Sequence, residues 1–144
     1  MIKIVCVGKI KEKFYRDAID EYMKRLTRYH KVIINEVIDS NMDKERDLIY
    51  KYINDKDYVI TLDIGGESLD SLEFSSFIDK MLMINSNIVF IIGGSLGIHE
   101  DIKKRADYRL SFSKMTFPHQ LFRVIFLEQL YRCFKIINNE TYHK

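Results

Sequence analysis

The feature that most constrains this 144-residue chain is the run Ile88-Val89-Phe90-Ile91-Ile92, followed at once by Gly93-Gly94-Ser95-Leu96-Gly97. Successive side chains on a strand point to opposite faces, so five apolar residues in a row need cover on both sides. A central parallel strand between two helical layers provides it. The rest of the chain supplies suitable partners by alternating period-2 with period-3.6 patterns, the signature of an α/β fold with a mostly parallel sheet. Strands are predicted at 2–7, 32–37, 58–63, 88–92 and 108–112, the third ended by Gly65-Gly66. Helices are predicted over 12–28 and 43–53, from Ser71 as N-cap, over a short stretch up to Ala106, and from about Pro118 to Ile137. A loop is expected at 39–42. The length suits one domain, 1–144.

The last helix imposes a second constraint. Leu121, Phe122, Val124, Ile125, Phe126, Leu127, Leu130, Tyr131, Cys133, Phe134, Ile136 and Ile137 cover nearly its whole circumference. A helix apolar all round must be covered all round. The sheet can cover one side, and a symmetric homodimer the other. A deeply buried central helix in a monomer is the competing reading.

Composition enters through charge. The net charge is only +2, but residues 103–144 hold nine Lys or Arg against Asp107, Glu128 and Glu140. A basic end on a near-neutral domain suggests an anionic partner such as RNA. Cys6 and Cys133, far apart and in apolar contexts, read as reduced buried thiols of a cytoplasmic protein. No apolar run is long enough for a membrane span, and the N-terminus lacks a secretory signal pattern. His30, His99, His119 and His143 show no metal-ligand spacing, so no metal is expected. His30 reads as a surface residue and His99 as a helix start.

Three segments carry chemical signals. The glycine cluster 93–97 ends a parallel strand where a ligand can approach the backbone closely. It lacks the Lys-Ser/Thr of a phosphate loop, and it comes too late in the chain for a dinucleotide fold. The second segment is the loop Phe112-Ser113-Lys114-Met115-Thr116-Phe117-Pro118-His119, just ahead of a helix N-terminus, whose amides suit an adenine or a carboxylate. The third is the tail, where Tyr142, His143 and Lys144 could stack on, deprotonate and hold a nucleobase.

Taken together, Gly93 to Gly97, Leu110 to Gln120, Arg123-Val124, Glu128 to Arg132 and Tyr142-His143-Lys144, with Val7-Gly8-Lys9 and Thr61-Leu62-Asp63 upstream, resemble the ribosomal large subunit methyltransferase H family. The resemblance covers essentially the whole chain. It implies a SPOUT fold with a C-terminal trefoil knot spanning about 88–144, and a homodimer with its sites at the interface. It also implies S-adenosylmethionine (SAM) as methyl donor and N3 of a pseudouridine in 23S rRNA, within the assembled ribosome, as acceptor. Matched by position, donor contacts fall on Leu62, Gly93, Phe112, Ser113, Lys114, Met115, Thr116 and Phe117. The tail is expected to act through His143 as base or base-orienting group and Tyr142 as stacking surface, with Arg132 or Lys144 on phosphate.

Two departures from the family pattern stand out. The connector between Val37 and Tyr58 is short, in a region expected to lie away from the knot, and Glu67 stands where relatives carry lysine. The rival functions are a non-catalytic RNA- or ribosome-binding protein with the same fold, and a small nucleotide-dependent reductase.

Overall fold

In the computed structural model, which describes all residues 1–144, five strands and five helices alternate. They are β1 (Ile2–Val7), α1 (Lys13–Leu26), β2 (Val32–Val37), α2 (Met42–Tyr50), β3 (Tyr58–Ser68), α3 (Ser71–Ile84), β4 (Ile88–Ile92), α4 (Glu100–Arg105), β5 (Tyr108–Ser111) and α5 (His119–Ile137). The sheet order is β2-β1-β4-β3-β5 and every pairing is parallel. β4 lies at the centre, with all five side chains buried. Its alternation splits the core in two. Ile88, Phe90 and Ile92 join Ile2, Ile4 and Ile60 under α1, α3 and α5, while Val89 and Ile91 join Val5, Val7 and Val59 under α2 and α4. Phe90 is completely buried against Phe126, with ring centroids 4.7 Å apart. Truncating so large a core side chain typically costs about 3–5 kcal/mol.

The predicted elements recur with four corrections. β3 does not end at Gly65-Gly66. It runs on to Ser68, its register against β5 shifting between Leu62 and Glu67. A Cβ on Gly66 would lie 2.6 Å from the Arg109 carbonyl carbon, so the glycine lets the bulged strand pass its neighbour. The N-cap of α3 is Asp70, not Ser71; it forms a capping box with Glu73. His30 is half-buried: its ring stacks on Phe134 at 5.8 Å, and Nε2 is buried with no hydrogen-bond partner.

The fourth correction concerns α5, which is not apolar all round. Residues 126, 127, 130, 131, 133 and 134 are buried, whereas the outward stripe of Leu121, Ile125, Glu128, Gln129, Arg132 and Ile136 is half-buried and mixed. α1 and α3 flank the helix and cover its sides.

Arg123 fastens the start of α5. It is 2% exposed, pairs with Glu36 of β2 and donates from Nη2 to the Gly8 carbonyl at 3.1 Å. Those contacts hold the first turn of α5 over the C-terminal ends of β1 and β2. Cys6 and Cys133 are free and buried, and burial pushes both thiols up to about 12.

Burial, and then the nearby amino terminus, holds the His30 imidazole below its ordinary range. The folded state therefore favours the neutral ring. Its contribution to stability is present above the unfolded value of about 6.5 and is lost as pH falls below it. Melting temperature is expected to drop as pH falls below about 6.5 in the natural chain, and the drop should flatten in His30→Phe, which keeps the stack without the titration. Equal slopes in both proteins would refute the assignment.

Candidate active site

The outgoing connections of the adjacent strands β3 and β4 leave on opposite faces, because α3 lies with the first core layer and α4 with the second. Such a divergence opens a crevice beyond the carboxyl ends of the strands, where α/β proteins bind ligands. A cleft of about 480 Å³ occupies that position, within the size range of small-molecule sites, roughly 300–1,000 Å³. Three segments wall it: the end of β3 from Leu62 to Gly65, the turn 92–98 after β4, and 110–119 between β5 and α5.

The glycine turn is built by close backbone approach. A Cβ on Gly93 would lie 2.5 Å from the Gly97 carbonyl oxygen, and Gly94 and Gly97 form an isolated bridge. The turn ends at His99, whose Nδ1 accepts from the Asp101 amide at 2.9 Å and caps α4, as expected of a helix-start residue. Asp43 and Arg46 of α2 contact the same ring. The shortened connector is therefore not remote from this end of the molecule. Asp39 Oδ1 also lies 3.9 Å from where a Gly94 Cβ would stand.

The second wall owes its shape to two serines. The Ser111 hydroxyl donates to the Ser113 carbonyl at 3.0 Å, and the Ser113 hydroxyl accepts from the Met115 amide at 3.0 Å. These local bonds turn the chain without regular structure. Of the sequence-predicted donor contacts, Leu62, Gly93, Phe112, Ser113, Met115, Thr116 and Phe117 line the cleft. Lys114 shares the loop but is exposed and outside the lining.

The structure adds groups that sequence reasoning missed. Asp63 and Arg109 form a two-pronged pair, Oδ1 to Nη2 at 2.7 Å and Oδ2 to Nε at 3.2 Å, with the Thr61 hydroxyl on Oδ2 at 3.0 Å. Burial pushes the Asp63 carboxyl up, but the Arg109 and Thr61 hydrogen bonds outweigh it and hold the group below the usual carboxylate range. An ionised carboxylate thus sits in the cleft wall. His119 also lines it, and no hydrogen bond within the chain engages its ring. Residues 63 and 109 lie far apart in sequence, and only the β3–β5 pairing brings them together. Glu67 lies outside the lining and accepts from the Tyr108 hydroxyl at 3.2 Å. Nowhere do three His, Cys, Asp or Glu side chains converge as a metal site requires.

The tail residues form a second cluster. Arg132 Nη1 lies 3.0 Å from His143 Nδ1, and its guanidinium carbon sits 4.9 Å above the Tyr142 ring. Tyr142 in turn packs edge-on against Tyr131, with centroids 5.0 Å apart. Arg132, Tyr142 and His143 are therefore brought together, but none of them lines the cleft. His119 and Arg132 are thirteen residues apart on one helix, which at about 1.5 Å per residue separates them by roughly 20 Å.

The full-length comparisons agree with one another. A family described as "Predicted SPOUT methyltransferase" matches residues 1–143. The ribosomal RNA large subunit methyltransferase H of Clostridium botulinum (strain Langeland) is 53% identical, over 99% of each chain. The protein of the same name from Clostridium kluyveri is 52% identical over the same shares. Those alignments run over 157 positions against the 144 residues of this chain. Among solved structures, a probable methylase family protein from Haemophilus influenzae superposes with a TM-score of 0.58 at 14% identity, covering 99% of this chain and 70% of that one. That likeness concerns the fold.

Replacing Gly93 with alanine would force the turn apart at the Gly97 carbonyl. Affinity for SAM, read by calorimetry, should fall at least about tenfold with the far-ultraviolet circular dichroism unchanged, since a misplaced binding wall of this kind is worth about 1.4 kcal/mol or more. Unchanged affinity would show that the turn does not form the donor site.

Proposed function

The chain belongs to the SPOUT methyltransferase family, and from that premise we propose that it transfers a methyl group from SAM to N3 of a pseudouridine in 23S rRNA of the ribosome. The observation that carries this reading is the cleft at the divergence of β3 and β4, walled by seven of the eight residues expected to hold the donor. The residues present suit that molecule. Leu62, Phe112 and Phe117 offer apolar surface for an adenine, and Ser113 and Thr116 offer hydroxyls. When bound, SAM supplies a methyl group already activated by its positively charged sulfur, so the protein has chiefly to position donor and acceptor.

The acceptor has to come from elsewhere. An imide nitrogen must lose a proton before it can take a methyl group, and positive charge nearby favours that loss. Arg132, His143 and Tyr142 provide cation, imidazole and stacking surface, but at the other end of α5 from the cleft. We assign the second half of each site to a partner copy. A two-fold axis across α5 sets two such helices antiparallel, bringing the tail of one protomer to the cleft of the other. The outward stripe of α5 supports this, because Leu121, Ile125 and Ile136 lie half-exposed there. So does an apolar groove of about 340 Å³ beside it, lined by Leu69, Phe74, Phe117 and Ile125. Exposed Ile64, Leu96 and Met115 border the same end. The knot expected over 88–144 belongs to this reading. No helix of the chain is long and apolar enough to cross a membrane.

Two outcomes test the proposal. Removing residues 141–144 should abolish methyl transfer to assembled ribosomes, followed by mass spectrometry of the rRNA, while SAM affinity changes little. Full activity in the truncated protein would refute the role of the tail. Mixing that truncated chain with the Gly93→Ala chain, at a SAM concentration too low to fill the weakened cleft, should restore activity, since each mixed dimer contains one cleft and one tail that are both intact. If no mixture regains activity although mixed dimers form, each protomer carries its own complete site.

A further inference from the structure

The tail cluster contains an arrangement that specifies which proton His143 carries. Arg132 is held by Glu128, one helical turn earlier, whose Oε1 accepts from Nη2 at 2.6 Å and from Nε at 2.9 Å. Both side chains are mostly buried, at 23% and 20% exposure, so the pair is not a loose surface contact. A carboxylate gripping the Nε and Nη2 edge orients the guanidinium plane and leaves Nη1 pointing away from it. That free Nη1 is the atom 3.0 Å from His143 Nδ1.

Arginine has only donors, so Nδ1 must present its lone pair. A neutral imidazole with an unprotonated Nδ1 carries its hydrogen on Nε2. No hydrogen bond within the chain uses Nε2, and the residue is exposed. Around it stand Glu128 and Arg132 of α5 and Tyr142 of the tail, which itself neighbours Tyr22 of α1. No carboxylate contacts Nδ1 to demand the opposite tautomer.

We propose that His143 is a hydrogen-bond donor to the substrate rather than its base: Glu128, as positioning residue, orients Arg132, Arg132 sets the Nε2–H tautomer of His143, and that N–H binds a carbonyl oxygen flanking the imide nitrogen of the target base. This rests on the methyltransferase reading above and names the group within that site which recognises the acceptor. The chemistry suits a donor. When the imide N–H bond breaks, its proton passes to water and the electron pair remains in the ring, spread over the nitrogen and the two adjacent carbonyl oxygens. A fixed N–H at one of those oxygens strengthens as the charge develops, which selectively stabilises the reactive anion. A base at Nε2 would need a lone pair there, and Arg132 would then lose its acceptor on Nδ1.

The discriminating variants are His143→Ala, His143→Gln and Glu128→Ala, assayed in single turnover on assembled ribosomes lacking the modification. The glutamine amide can donate from about the position of Nε2 but cannot act as a base. His143→Ala should lower the rate about 10²–10³-fold, as removal of a single charge-stabilising donor does, while His143→Gln stays within about tenfold of the natural protein. Glu128→Ala should lower the rate roughly tenfold without changing SAM affinity. Nitrogen-15 spectra of the imidazole should show the Nε2–H tautomer in the natural dimer and a mixture in Glu128→Ala. A glutamine variant as inactive as the alanine one, or an Nδ1–H tautomer in the natural protein, would overturn the proposal. If the natural protein transfers no methyl group at all, the functional reading fails, and the spectra alone then decide the tautomer.

Discussion

Everything in this fold hangs on the burial of β4 from both sides. Five apolar residues at the middle of a parallel sheet are tolerable only beneath two helical layers, so the connections on either side of β4 have to leave on different faces. That requirement opens the crevice between β3 and β4 and puts a glycine-rich turn at its edge. The same strand thus supplies the centre of the core and the reason for the cleft.

The second determinant is Arg123. A buried cation in an otherwise apolar layer is tolerated because Glu36 and the Gly8 carbonyl both receive it. Removing Glu36 would leave a buried guanidinium without its carboxylate; breaking a fully buried pair costs about 3–5 kcal/mol, and the 38% exposure of the Glu36 side chain places this pair below that range. The arrangement ties the start of α5, and with it the cleft wall at His119 and Phe122, to the ends of β1 and β2. Stability and site geometry are coupled through one side chain.

The cleft and the Arg132–Tyr142–His143 cluster lie at opposite ends of one helix. The cleft has apolar walls and a paired carboxylate, and the tail has arginine, imidazole and tyrosine. Neither end holds both sets. A helix is a rigid spacer at this length, so bending cannot unite them; a second helix running the other way can. The mixed, half-buried outer stripe of α5 is the surface on which such packing would occur.

Local pattern located every strand and helix of this chain, because apolar runs, alternation, the 3.6-residue repeat and turn residues are local and survive without knowledge of neighbours. The correction at β3 shows the limit. Gly65-Gly66 has the local character of a terminator, yet β5 pairs alongside and carries the strand through a bulge to Ser68. His30 and α5 were misread for a related reason, since how far a ring or a helix face is covered depends on elements distant in sequence. At the site, the glycine turn and the loop before α5 were legible as motifs. The Asp63–Arg109 pair, the bracing of His99 by α2 and the Glu128–Arg132–His143 chain were not. Sequence order determined the elements and the chemical types available, whereas strand pairing and helix packing decided which of those groups meet, because distances of a few ångströms across residues dozens of positions apart exist only in the folded chain.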